Sequence, residues 1–338
     1  MIQTLSRRRF LRSAGAVGLG IATARLVAPA IARPGATRLR VVSNPGLENA
    51  TLNALMEQQG YLKQFGADLL MVEAAGPAGP FDAVASGAAD VCMASGYNMV
   101  LPRIEQGAKC KIVGAGMRKT ALCVFAKPRG IERLSDLQGR TVAVGPIMGL
   151  LHVLMLQLLK ENGIDSSTVK FVDRGSNDEC YEAVLKGEAD ACCSSISHLQ
   201  DNDGLALLAD GKLWQALPRY VFQTAYASDA VIAEKREALI ALMAAYGKLY
   251  DYLMTPSAHD AFIDARRRAQ RRFDAASARA VWEFTQLERP YSSKLALTES
   301  DVSYLQEILA GLGALRSKQA FAAVADMAAA EAAAHLIA

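Results

Sequence analysis

The sequence predicts an α/β protein built as two similar lobes followed by a helical segment. Three observations carry this. Short β-type runs alternate with helical runs through brief polar turns, first over residues 38–114 and again over 118–227. The two series share one grammar: helix, glycine, acidic residue, strand, polar turn, helix. From Ala230 onward helical patterns dominate.

The first series opens with Arg38 to Val42, an alternating run that reads as a strand, then a Ser43-Asn44-Pro45-Gly46 turn and a helix from about Glu48 to Gln59. Asp68 to Val72, Asp90 to Ala94 and Lys111 to Gly114 are further strands. Between them lie the Gly76–Gly79 loop, a short helix over Phe81 to Ser86, and a helix over Tyr97 to Gln106. This alternation argues for a parallel sheet covered on both faces. In the second series Ser135-Asp136-Leu137 opens a short helix, and Thr141 to Val144, Val169 to Val172 and Ala189 to Cys193 are strands. Leu150 to Asn162, apolar nearly all round, is a buried helix. Asn177 to Lys186 is a helix, and Tyr220 to Ala227 is extended. The C-terminal helical patterns span about 231–254, 257–271, 275–288, 298–312 and 318–336; the last is Ala-rich and reads as a loosely docked helix.

With 338 residues the chain is long enough for about two compact units. Hydrophobic residues make up 51% and charged residues 21%, a globular balance that a disordered chain does not show. The formal charge is +3, but residues 1–32 hold five arginines and no acid, so their removal leaves −2. The remainder has no basic excess to attract nucleic acid. Those first residues have their own pattern. Ser6-Arg7-Arg8-Arg9-Phe10-Leu11-Arg12 is a twin-arginine export motif, Ala14 to Ala24 is weakly apolar, and Ala30-Ile31-Ala32 is a small-residue cleavage site. Residues 1–32 are therefore expected to be a signal peptide, read by the twin-arginine translocase, that sends the chain to the periplasm. The apolar run is too short and too Gly/Ala-rich to span a bilayer, and Arg25 interrupts it.

Export to an oxidising compartment permits disulfides among Cys92, Cys110, Cys123, Cys180, Cys192 and Cys193. Four of them, Cys92, Cys110, Cys123 and Cys192, lie inside apolar strand-like runs, where a free thiol behaves as a small buried hydrophobe. Buried thiols and at least one disulfide both remain open. No CxxC pair occurs, and zinc spacing is absent. His152 and His198 fall near the Cys192-Cys193 strand, but nothing fixes a metal-ligand spacing, so no metal or cofactor is expected.

The passages Val84 to Val91 and Val184 to Ala191 resemble the A-x-x-x-G-x-x-D elements of substrate-binding proteins in the nitrate/sulfonate/taurine and thiamine-precursor import group. Leu134 to Val144, reading Leu-Ser-Asp-Leu-Gln-Gly-Arg-Thr-Val-Ala-Val, resembles that family's opening of the second lobe. Gly107 to Gly114 and Leu297 to Asp301 are similar to further family segments. The resemblance covers roughly 38–312. It implies a type II periplasmic binding protein fold, with lobe one at 38–120 and 227–338, lobe two at 128–219, and hinges at 119–127 and 219–227. It further implies a monomeric solute-binding component of an ABC importer, with permease and ATPase subunits as partners and a small molecule bound in the cleft by hinge closure. Two alternatives stay on the same fold. One is an enzyme, akin to a desulfinase or a pyrimidine synthase. The desulfinase-like loop at Ser43-Asn44-Pro45 holds no Cys nucleophile, and neither does the returning strand Tyr220 to Thr224. The other is a ligand-sensing or docking module.

Ligands bind outside the carboxyl ends of parallel strands, where helix N-termini offer free N–H groups. The candidates there are Ser43, Asn44, Ser95, Tyr97, Ile147, Met148, Arg174 and Ser195, each Ser or Asn having plain helix capping as its alternative. Ile147 and Met148 suit an apolar body and Tyr97 a stacked ring; Arg174 and Arg118 are candidate cations for a carboxylate or sulfonate, and Glu73 an acceptor for an amine. The expected ligand is a small organic molecule with an apolar or aromatic body and at most one negative charge.

Overall fold

The computed structural model describes residues 37–74, 79–201 and 203–338. The twin-arginine motif, the Ala30–Ala32 cleavage site and most of the Gly76–Gly79 loop lie outside the described residues. Two five-stranded sheets organise the rest. In the first, β1 (Leu39–Val42), α1 (Leu47–Gln59), α2 (Tyr61–Phe65), β2 (Leu69–Met71), α3 (Gly79–Ala85), β3 (Val91–Ser95), α4 (Tyr97–Glu105) and β4 (Cys110–Gly114) follow in chain order. The second is built from β5 (Leu122–Ala126), β6 (Thr141–Val144), α5 (Leu150–Glu161), β7 (Lys170–Asp173), α6 (Asn177–Lys186), β8 (Ala191–Ser195), β9 (Ala206–Lys212) and α7 (Leu213–Ala216). The chain then returns through β10 (Thr224–Ser228) to α8 (Asp229–Glu234), α9 (Arg236–Leu253), α10 (His259–Ala269), α11 (Ala275–Glu288), α12 (Glu299–Gly311), α13 (Phe321–Val324) and α14 (Ala328–Ile337).

The strand orders are β2-β1-β3-β10-β4 and β7-β6-β8-β5-β9. Neither sheet is all-parallel, as the alternation of strands and helices had implied. β10 runs antiparallel to β3 and β4, and β5 runs antiparallel to β8 and β9. The reason is geometric. Each of these two strands is the first after the chain crosses from the other sheet. A chain leaving β4 at its carboxyl end enters the second sheet on the side where the strands end, so β5 must run away from that side. The return into β10 repeats the arrangement. The crossing segments are 115–121 and 213–223, the second opening with α7 still packed on the second sheet; the spans expected from the sequence, 119–127 and 219–227, overlap β5 and β10. The two segments are tied together where Phe222 and Gln223 N–H groups both donate to the Met117 carbonyl, at 3.2 and 3.1 Å.

The repeated Gly-x-x-Asp grammar has a structural basis in both sheets. Gly87 and Gly187 take positive φ, 76° and 79°, and end their helices. Three residues on, Asp90 accepts from the Arg40 N–H at 2.7 Å and Asp190 from the Thr141 N–H at 2.8 Å, pinning the start of the neighbouring strand. Asp90 also binds the Arg40 guanidinium at 2.8 Å and the Lys235 ammonium at 2.9 Å. Burial opposes its charge, but these bonds outweigh burial and hold its carboxyl below the usual range.

The strands of both sheets are lined by buried Val41, Val42, Val91, Val124, Val142 and Val144, which belong to one continuous apolar core. All six cysteines are buried and free. Burial pushes the Cys92, Cys110 and Cys180 thiols up to about 12. Among the described residues no helix is long and apolar enough to cross a membrane.

The C-terminal segment corrects two expectations. The pattern over 231–254 divides into α8 and α9, and that over 318–336 into α13 and α14, broken where Ala325 pairs in parallel with Ile112 and Asp326 N–H donates to the Ile112 carbonyl at 2.9 Å. Nor is the Ala-rich end loosely docked. Ala329, Ala330 and Ala333 are buried, and α14 lies so close to α9 that a Cβ at Gly247 would stand 2.7 Å from Ile337 Cδ1 and 2.5 Å from the Ser293 carbonyl oxygen. Small residues on both helices permit this approach. Gly247→Ala should therefore lower stability by about 1–3 kcal/mol, by forcing the two apart. Urea denaturation checks this, and an unchanged midpoint contradicts it.

Candidate functional site

The carboxyl ends of the strands in both sheets feed helix N-termini, and the two sets meet. β3 passes through Ser95 and Gly96 into α4; β6 passes through 145–149 into α5. Asn98, in the first turn of α4, donates from Nδ2 to the Met148 carbonyl at 3.3 Å. Gly96 has no side chain, and a Cβ there would sit 3.5 Å from Leu150 Cδ1. The first sheet's α4 N-terminus thus rests directly on the second sheet's α5 N-terminus.

The loop before α5 is held in an unusual shape. Met148 has φ of 63°, a region that residues with a side chain seldom adopt. Its two backbone groups are both bound: the carbonyl accepts from Asn98, and the N–H donates to His152 Nδ1 at 3.0 Å. His152 must be neutral at Nδ1 to accept, and burial pushes its pKa down. Its ring packs edge-on against Phe171, with centroids 4.7 Å apart. His152 is thus a loop-holding residue.

The structure places the sequence-derived candidates as follows. Ser95 is buried, and its carbonyl accepts from Thr224 Oγ1 at 3.2 Å. Tyr97 is fully buried, with its ring 5.3 Å from that of Tyr220, so its packing partner is a protein ring. Met148 is half-buried at the junction, and Ile147 is 54% exposed at its rim. Ser43 and Asn44 are half-buried after β1; the Asn44 N–H donates to the Ala94 carbonyl, and its own carbonyl accepts from Asn49 Nδ2 at 2.8 Å. Ser195 caps the short turn Ile196–His198, accepting from the Ser197 N–H at 3.1 Å. Glu73 is exposed beyond the edge strand β2, apart from the α4–α5 junction.

The two cations expected to grip an anion are both engaged elsewhere. Arg118 binds Asp301 at 2.9 Å and the Ala296 carbonyl at 3.3 Å, at the start of α12. Arg174 stands 3.4 Å from Glu188 and is substantially exposed. An arginine already facing a carboxylate on a wet surface offers a ligand little.

Other residues emerge from an accounting of buried polar atoms. Asn98 Oδ1, Thr120 Oγ1 and Trp214 Nε1 are buried without a hydrogen-bond partner, and the buried Tyr97 and Tyr220 hydroxyls have only each other. Thr120, Trp214 and Tyr220 lie on the segments that cross between the sheets. Arg266 is more unusual still. It is 1% exposed, on α10, and only Nη2 finds acceptors: Ser277 Oγ at 2.8 Å and Glu48 at 3.5 Å. Its Nε and Nη1 have no partner. The sequence carried a signal for it: Arg266 falls four residues after Phe262, on the buried face of its helix.

His198 links α6 to the turn after β8. It contacts Asp201 at 2.8 Å and Asp178 at 3.2 Å, and stacks on Tyr181 at 3.9 Å. Burial opposes its charge, but the two carboxylates outweigh it and raise its pKa. Among the described residues no cluster of His, Cys, Asp and Glu could hold a metal ion.

Two mixed sheets, a double crossing and facing helix N-termini define the periplasmic binding protein fold. The family described as NMT1/THI5 like matches residues 51–280, and the protein belongs to that family. No curated protein sequence matches the chain. Among solved structures, the periplasmic aliphatic sulphonate binding protein SsuA of Escherichia coli is similar with a TM-score of 0.70 at 16% identity, over 83% of this chain and 89% of that one. The alkanesulfonate-binding protein SsuA of Xanthomonas axonopodis pv. citri, bound to MOPS, gives 0.69 at 17%, over 86% and 98%. A DszB variant in complex with biphenyl-2-sulfinic acid gives 0.62 at 14%, over 88% and 99%. Identities this low establish a shared fold.

The His152 contact has a definite pH sign. Its folded pKa lies below the unfolded value, so the unfolded chain binds more protons as the solution acidifies. The stability that neutral His152 contributes is present above about pH 6.5, the ordinary histidine value, and is lost as pH falls below it. The stability difference between wild type and His152→Asn should therefore shrink from pH 8 to pH 5. Chemical denaturation at several pH values checks this, and a difference that grows on acidification contradicts it.

Proposed function

We propose that this chain is the solute-binding component of an ABC importer. It is exported to the periplasm by the twin-arginine route and captures a small organic ligand between its lobes. The single observation behind this reading is the α4–α5 junction. Asn98 Oδ1 is buried there without a partner, and the buried Tyr97 and Tyr220 hydroxyls face only each other, beside apolar Met148 and Leu150. A buried polar atom left unpaired costs about 1–3 kcal/mol, so a bound molecule that supplies partners recovers stability. The apolar side chains suit an organic body, whose burial contributes about 25 cal/mol per Å². Family membership and the fold shared with two sulfonate-binding proteins support the same role.

In this reading 38–120 with 227–338 forms one lobe and 128–219 the other, and the crossing segments act as hinges. The monomer delivers its ligand to a permease driven by an ATPase. The enzyme reading has less support, although one structural neighbour holds a sulfinic acid. The Ser43–Pro45 loop offers no thiol, and the thiols that exist are buried with their pKa values raised, so none is poised as a nucleophile. A thermal-shift screen of the mature protein against aromatic carboxylates, sulfonates and pyrimidines tests the binding role. A true ligand at 100 times its Kd should stabilise by about 2.7 kcal/mol. Tight binding of nitrate or sulfate, with no response to organic acids, would contradict the organic ligand.

A further inference from the structure

The largest fully buried side chain among the described residues is a cation, Arg266, and two of its three nitrogens have no partner. A guanidinium carries five N–H donors and is never deprotonated at accessible pH, so burial cannot be relieved by losing the proton. Its surroundings supply too few acceptors. Ser277 Oγ is neutral, and Glu48 reaches only Nη2, at 3.5 Å, from a side chain that is 43% exposed. Nothing in this geometry pairs Nε or Nη1.

Its position adds to this. Glu48 lies in the first turn of α1, whose N-cap is Gly46 and therefore has no side chain to bind the first helical N–H groups. Arg266 and an uncapped helix N-terminus thus stand together at the carboxyl end of β1. The second sheet is close by: α11, which carries Ser277, packs against the Ile196–His198 turn that follows β8, and Gln200 beyond that turn donates to Glu283 of α11 at 2.7 Å. The cation sits beside the α1 N-terminus, next to the helix that meets the second sheet.

We infer that Arg266, with the α1 N-terminus, forms the anion subsite of the cleft and receives the acid group of a singly charged organic acid, a sulfonate or carboxylate. The inference rests on the cleft being a ligand site. Charge decides against a second negative group. Glu48 already faces the one guanidinium, so a monoanion leaves the group at a net −1 and a dianion such as sulfate at −2, the costlier charge to hold out of water. The acid oxygens supply the acceptors that Nε and Nη1 lack. Charge-assisted bonds of this kind are stronger than neutral ones, and stronger still out of water.

Titration calorimetry and thermal shift of the mature protein test this with four probes: benzenesulfonate, benzoate, benzyl alcohol and inorganic sulfate. Binding of either acid, with little or none of the alcohol or of sulfate, is the expected result; the two acids distinguish sulfonate from carboxylate recognition. Arg266→Gln should weaken the bound acid at least tenfold, and Arg266→Lys, which keeps the charge without the Nε–H, should weaken it measurably. Arg174→Gln should leave it unchanged. Without ligand, Arg266→Met should melt at or above the wild-type temperature, because it removes a charge with unpaired donors; a purely structural arginine would give a lower value. Benzenesulfonate affinity that survives in Arg266→Gln, or a lower melting temperature for both Arg266→Met and Arg266→Lys, would overturn the Arg266 assignment alone. Failure of all four probes with wild type would instead count against the cleft-binding reading.

Discussion

The chain crosses between its two sheets twice, and each crossing starts and ends on the side where strands terminate. That constraint fixes much else. It forces β5 and β10 to run against their neighbours. It puts both connections on the side where helix N-termini gather. It also confines the chain between the sheets to two short segments, joined by the bonds to the Met117 carbonyl. The Asp90 and Asp190 contacts serve the same end on the far side, locking strand starts so that the strand ends stay aligned.

Where the lobes meet, packing and polar satisfaction pull in different directions. Gly96 and Leu150 pack closely, and Met148 accepts a left-handed backbone to make the contact. Strain of this kind costs about 1–3 kcal/mol and persists only where neighbours hold it. Here Asn98 and His152 do so from opposite lobes. Asn98 Oδ1, at the same contact, is buried without a partner. A folded protein tolerates such groups where another molecule is to complete them. His152 and His198 respond oppositely to acid. Burial keeps His152 neutral as an acceptor, whereas Asp178 and Asp201 favour the charged form of His198.

Much of the fold was legible because apolar periodicity records burial. Thr141–Val144, Asn177–Lys186 and 275–288 read directly from their patterns. The direction of β5 was not legible, since an apolar strand looks the same whichever way it runs. β9 was missed because Asp210-Gly211 inside it reads as a turn. The break at Ala325 depends on a partner, Ile112, more than two hundred residues away. The site divides similarly. The sequence put Ser95, Tyr97 and Met148 where strand ends precede helix starts, and the structure has them at such positions. Arg118 and Arg174 were favoured because they are cations near such turns, yet Asp301 and Glu188 meet them in space. Tyr220 was read only as part of an extended run, and its packing on Tyr97, like the unpaired burial of Thr120 Oγ1, appears only once the lobes are assembled.

The central claim is that ligand binds between the lobes and draws on both. Hydrogen exchange measured peptide by peptide, with and without the organic acid giving the largest thermal shift, tests it most directly. The account predicts slower exchange at the α4 and α5 N-termini and in the segments 115–121 and 213–223 together. Protection confined to one sheet, with both crossing segments unchanged, would contradict it.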